Sequence, residues 1–140
     1  MKRFIIAITG ASGACYAKRL FDVLKETSEL HLIISERGVE LLKIELGLKA
    51  SYFAGESVTL YKNSKINTCI ASGSFHTDGM VVAPASMGTV GRIASGVSTT
   101  MVERAADVIL KEKRKLIIVP REAPFSTIHL KNLLALDQAG

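Results

Sequence analysis

Residues 5–20 read IIAITGASGACYAKRL, and the fold turns on how that stretch divides. The run "RFIIAIT" (3–9) does not alternate apolar with polar side chains, so it reads as a strand buried on both faces. From residue 13 the period changes. Ala14, Ala17, Leu20, Phe21 and Leu24 recur at helical spacing and predict a helix over 13–26. Between strand and helix lies a glycine-containing turn, the kind that aims the N–H groups of a helix N-terminus at a phosphate.

The same change of period repeats along the chain. "LHLIIS" (30–35) is a second strand, and 36–46 a helix with Val39, Leu42 and Leu46 on one side. Residues 47–78 are polar, carry Gly55, Asn63 and Gly73, and read mostly as loop or short pieces. "GMVVAP" (79–84) is a third strand, followed by a short helix from Met87 to Ala94. Thr100 and Glu103 have the spacing of a capping box and open a longer helix with Met101, Ala105 and Ile109 inward. "KLIIVP" (115–120) is a fourth strand and 127–138 a last helix.

Strands alternating with helices predict an α/β, Rossmann-like (flavodoxin-like) three-layer fold, a parallel sheet flanked by helices through right-handed crossovers. The length of 140 residues, without repeat or linker, fits a single domain over 1–140. The chain closes on "LLALDQAG", a helix and a capping glycine with no strand returning to the sheet. That ending reads as a fragment lacking its C-terminal strand.

Composition narrows the function classes. Apolar residues at 48% and charged ones at 22% describe an ordinary globule. Arg3, Lys18, Arg19 and Asp22 interrupt the first apolar stretch, so no membrane span is expected. Cys15 and Cys69 have no metal-ligand spacing, nor do His31, His76 and His129, and no metal is expected. Without an export signal the thiols read as free and the protein as cytoplasmic. The net charge of +5 fits an anionic ligand. "KEKRK" (111–115) reads as the wet end of a helix, and with no Trp there is little for nucleic-acid bases to stack on.

The turn also narrows which phosphate. In a dinucleotide fingerprint G-x-G-x-x-G, the second and third glycines would stand where this chain has Ser12 and Cys15, whose side chains crowd a pyrophosphate. Ser35 stands where a ribose-binding acid belongs, and no ATP-type P-loop pattern occurs. A turn with backbone donors and one hydroxyl, Ser12, suits a single phosphate monoester. The other strand ends are polar too: Ser35 after the second, Ser86 and Thr89 in "PASMGT" after the third, Arg121 and Glu122 in "PREAP" after the fourth. Ligands of parallel α/β sheets collect at those ends.

With these residues in view, the chain resembles flavin prenyltransferases of the UbiX family. "ITGASGA", "SGSFHTDGMVVAPASMGT", "ERAADVILKEKRKLIIVPREAP" and "HLKNL" are similar to its characteristic segments, in order and over nearly the whole chain. The resemblance implies FMN as cofactor, used reduced, and dimethylallyl monophosphate as prenyl donor. It implies bonds formed at N5 and C6 of the flavin, phosphate released, no metal, and prenylated FMN passed to UbiD-type decarboxylases of ubiquinone synthesis or aromatic-acid breakdown. It implies a homo-oligomer, as large as a dodecamer, with the flavin between subunits.

By the same resemblance Gly10, Ala11, Ser12 and Ser35 contact the flavin, as do Ser86, Met87, Gly88, Thr89 and Arg121. Glu45, Arg104, Lys111 and Glu122 match positions that bind the prenyl phosphate or handle protons. Family members continue with a further strand, a Tyr and an Arg that this chain does not carry. Read without the resemblance, Glu45 is a solvated helix residue, Arg104 and Lys111 pair with acids of their own helix, and Met87 fills core. Two alternatives share the flavin segment: an FMN-dependent cysteine decarboxylase, and a non-catalytic FMN carrier or scaffold.

Overall fold

The computed structural model describes residues 1–140. Its central strand is β1 (Lys2–Ile8), and the reason is visible in its side chains. Ile5 and Ala7 point to one face, Ile6 and Ile8 to the other, and all are at most 1% exposed. Such a strand survives only between two helical layers. Five parallel strands run in the order β3-β2-β1-β4-β5, with β2 at Ser28–Ile34, β3 at Val58–Lys62, β4 at Gly79–Ala85 and β5 at Lys115–Pro120.

Helices α1 (Ala14–Leu24) and α2 (Glu36–Leu46) cover one face. There Ala14, Ala17, Phe21 and Leu42 pack on Ile6, Ile8, Leu30 and Leu32. Helices α3 (Met87–Ala94), α4 (Met101–Lys111) and α5 (Thr127–Ala139) cover the other face over Ile5, Ala7, Met80 and Val82. The Thr100/Glu103 capping box is present, and Ser126 with His129 forms a second at α5. No helix is long and apolar enough to cross a membrane.

The expected three-layer parallel fold is thus the observed one, and residues 47–78 are mostly loop and short pieces as expected, with one addition: the sheet has a fifth strand there. These residues hold β3, an edge strand pairing with β2 from Leu30↔Val58 to Ile34↔Lys62, and single 3-10 turns at Ala50–Phe53 and Cys69–Ala71. None of the five residues of β3 is fully buried, and only Val58 and Tyr61 pack against the core, one on each side, so VTLYK gives a weak apolar signal. The backbone ladder to β2 makes it a strand.

Candidate functional site

At the carboxyl edge of the sheet the strand ends are tied to one another by hydrogen bonds. Ser35 N–H donates to the Ile8 carbonyl (3.0 Å), joining β2 to β1. Buried Thr9 joins β1 to β4: its hydroxyl donates to the Pro84 carbonyl (2.7 Å) and accepts from Ser86 N–H (2.9 Å). Arg121 N–H donates to the Ala85 carbonyl (3.1 Å), joining β5 to β4. The residues expected at four strand ends are therefore brought into one row.

Two helices then start from this row, and each start is a serine cap. Ser35 accepts from Gly38 N–H at the start of α2 (3.0 Å), and Ser86 from Thr89 N–H at the start of α3 (3.3 Å). Gly38 is required here, since a Cβ would stand 2.7 Å from the Ile8 carbonyl oxygen. Thr100, the cap of α4, faces the same space. Between the three helix starts lies a cavity of ≈ 410 Å³ lined by 13 residues, of which one, Val102, is hydrophobic. Helix N-termini carry unpaired N–H groups and positive dipole ends, so the cavity suits an anion with a polyhydroxyl chain. An apolar aromatic ring would have to lie outside it, toward the open edge.

The opening turn behaves differently from its sequence reading. Gly13 takes the left-handed conformation (φ 113°) and has no side-chain cap to offer α1. Glu45 of α2 fills that place, its carboxylate accepting from Gly13 N–H (3.1 Å) and Ala14 N–H (2.9 Å). Two of the donors expected to face a phosphate at α1, the Gly13 and Ala14 N–H groups, are engaged by Glu45, whereas the starts of α2, α3 and α4 face the cavity. The hydrogen bond from Ala14 N–H, with those from Gly13 and Ser12 and the nearby Arg121 cation, outweighs desolvation and holds Glu45 below the usual carboxylate range. Glu45 is exposed, as its sequence reading has it, but its carboxylate is fixed on the start of α1, which that reading did not show.

The remaining expected residues separate into two groups. Gly10, Ser35, Ser86 and Thr89 line the cavity. Ala11 is buried beneath the turn and Ser12 is exposed above it. Met87 packs its side chain into the core, so its backbone is what it brings to the α3 start; Gly88 beside it is open. Arg121 and Glu122 are exposed at the end of β5, where Glu122 accepts from its neighbour Ala123 N–H (3.1 Å).

Arg104 and Lys111 are elsewhere. Arg104 donates to the Ala71 carbonyl (3.2 Å) and pairs with Asp107 (3.3 Å). Lys111 pairs with Glu112 at the far end of α4, one helix length or ~16 Å from Thr100. The pairing expected on the helix surface is seen, but the chain does not bring these cations to its own cavity. Glu103 turns inward and is buried, and it lines the cavity with Arg92, Arg37 and Thr9, none of which the sequence singled out. The capping-box position of Glu103 was the one available signal.

His76 is at the opposite edge of the sheet, its carbonyl accepting from Arg3 at the start of β1 (3.0 Å). His129 caps α5 (3.1 Å), and buried His31 bonds Tyr61 (2.8 Å) and Glu29 (3.0 Å). No three of the His, Cys, Asp and Glu side chains cluster as metal ligands.

A family model described as Flavoprotein matches residues 1–140. The flavin prenyltransferase UbiX of Methanocaldococcus jannaschii is 45% identical over 138 residues, which is 99% of this chain and 75% of that protein. A dodecameric FMN-dependent UbiX-like decarboxylase from Escherichia coli O157:H7 superimposes with a TM-score of 0.93 at 41% identity, over 99% of this chain and 76% of that one. AnUbiX, solved in complex with FMN and dimethylallyl pyrophosphate, superimposes with a TM-score of 0.94 at 36% identity, over 99% and 74%.

Proposed function

The chain belongs to the flavoprotein family and, within it, to the flavin prenyltransferases, and from that premise we propose that it transfers the dimethylallyl group of dimethylallyl monophosphate to N5 and C6 of reduced FMN. Phosphate leaves, and the prenylated FMN serves UbiD-type decarboxylases. The observation that carries the reading is the polar cavity at the tied strand ends, ringed by three helix N-termini. Its donors fit the phosphate and ribityl chain of a mononucleotide.

Bound reduced FMN supplies the nucleophilic ring atoms; the chain supplies binding and charge. Gly10, Ala11, Ser12 and Ser35 with Ser86, Met87, Gly88 and Thr89 would hold the flavin, and Arg121 its outer edge. Glu45, ionised at neutral pH, is an acceptor at the ring side of the turn rather than a proton donor. Glu122, exposed at the end of β5, is a base for the proton lost in ring closure.

Arg104 and Lys111 would stabilise the charge that develops on the leaving phosphate. Since both lie away from the cavity of their own chain, we assign them to the site of a neighbouring subunit in a homo-oligomer, a reading supported by the dodecameric relative. The protein acts in the cytoplasm as one FMN-binding domain. A cysteine decarboxylase, which needs a catalytic histidine at the flavin, is not favoured: His76 lies in a prenyltransferase-like segment and on the opposite edge of the sheet.

Purified protein given reduced FMN and dimethylallyl monophosphate without oxygen should yield a flavin heavier by one isoprene unit. Tight FMN binding with no such product would make the chain a carrier. Mixing Ser12→Ala chains with Lys111→Ala chains should restore turnover that neither has alone; no recovery would place Lys111 outside a shared site.

A further inference from the structure

Glu103 is 1% exposed, and one oxygen of its carboxylate is held by the residues just before α4. Its Oε2 accepts from Thr99 N–H (2.8 Å), the Thr99 hydroxyl (2.9 Å) and Thr100 N–H (3.1 Å). Burial works against the charge, but these bonds and Arg92 outweigh it, and Glu103 is held below the usual carboxylate range. Its Oε1 then accepts from Arg92 of α3 at 2.5 Å, through Nε alone.

That geometry leaves the forked end of the guanidinium to the cavity. Nη2 reaches toward the Thr89 hydroxyl (3.5 Å), itself bonded to Ser86 (2.9 Å). Nη1 crosses the first turn of α3, 3.2 Å from where a Cβ on Gly88 would stand. A pair that served only to neutralise Glu103 would have no need of a guanidinium held at its Nε, with its fork beside the helix start. The other arginine of the cavity, Arg37, is turned to Glu40 (2.6 Å) and is largely exposed.

Resting on the FMN reading above, we propose that Arg92 is the specificity-determining contact for the flavin phosphate, and that Glu103 is the residue that positions it. The pair selects the phosphorylated flavin over riboflavin. A planar fork can take two phosphate oxygens at once, which a lysine cannot.

The test titrates the protein with FMN and with riboflavin by flavin fluorescence, and records the phosphorus NMR resonance of bound FMN. Arg92→Met should weaken FMN roughly ten- to a hundredfold, as loss of a charged hydrogen-bond pair does. It should leave riboflavin within about twofold, since the apolar stem is kept. The bound phosphate resonance should move. Glu103→Gln should lower the FMN-to-riboflavin ratio by less, and should add nothing in the Arg92→Met background. Equal weakening of both flavins by Arg92→Met, or an unmoved phosphorus resonance, would reduce the pair to a structural tie between α3 and α4. Failure of the wild-type protein to bind FMN would instead remove the FMN reading itself.

Discussion

Thr9→Val isolates the tie that holds the site together. Valine keeps the shape of the side chain, 2% exposed, and removes only the hydroxyl. Two hydrogen bonds go, one to the Pro84 carbonyl and one from Ser86 N–H. The Pro84 carbonyl keeps Thr9 N–H (3.2 Å), whereas Ser86 N–H loses its partner. Each lost bond is worth about 1 kcal/mol net, and an orphaned donor adds about 1–3. The extra methyl returns up to ~0.8 kcal/mol. A loss of about 2–4 kcal/mol follows, which at ~2.1 cal/mol/K per residue lowers Tm by about 7–14 °C for a chain of this length.

Ser86 is the cap of α3, so the same change should also weaken FMN binding in protein that remains folded. Urea denaturation with flavin titration measures both. Thr9→Ser, which keeps the hydroxyl, should stay within ~1 kcal/mol of the parent. If Thr9→Val melts within about 0.5 kcal/mol of wild type, or Thr9→Ser is equally damaged, the hydroxyl does not join β1 to β4 and the reasoning fails.

Three further outcomes test other parts of the structure. Phe21→Ala, which empties a fully buried site edge-on to Phe53 (ring centroids 5.0 Å), should cost about 3–5 kcal/mol. FMN affinity of the folded fraction should be unchanged, because Phe21 lies on the α1 face away from the cavity. Glu45 is depressed in the folded state, so the unfolded chain takes up its proton first. Its stabilisation is complete above the ordinary value of 4.5 and is lost as pH falls through the depressed one. Glu45→Gln should flatten that acid limb in urea midpoints read against pH. Burial keeps His31 neutral and its pKa below 6.5 against the pull of Glu29, so its contribution is present above 6.5 and lost as pH falls below it. His31→Gln should remove the corresponding slope between neutral and mildly acidic pH; an unchanged slope would assign it to other groups.

Much of this was legible along the chain because it is local. The change of period at Thr9–Gly13, the continuous apolar run of β1 and the Thr100/Glu103 spacing depend only on neighbours in sequence. They carried the parallel α/β fold, and with the family motifs they carried the flavin chemistry. Strand ends in a parallel sheet must fall on one edge, so Ser35, Ser86 and Arg121 could be placed together before any coordinates.

The rest is decided by partners distant in sequence. β3 is a strand chiefly because β2 offers it a ladder, since it is only five residues long and none is fully buried. Glu45 reads as a solvated residue with no partner; it stays exposed, but the fold sets it against α1, 31 residues away in sequence, where it takes N–H groups the turn seemed to offer a phosphate. Arg92 and Glu103 look like ordinary helix charges until α3 packs beside α4 and one carboxylate is buried against the other's guanidinium. Arg104, next to Glu103 in the first turn of α4, is turned to the Ala71 carbonyl and Asp107 instead, and Lys111 is carried out of reach by the length of the helix. Periodicity is written in the covalent order of side chains. Which donor finds which acceptor is settled only by packing, because burial makes an unpaired charge too costly to leave.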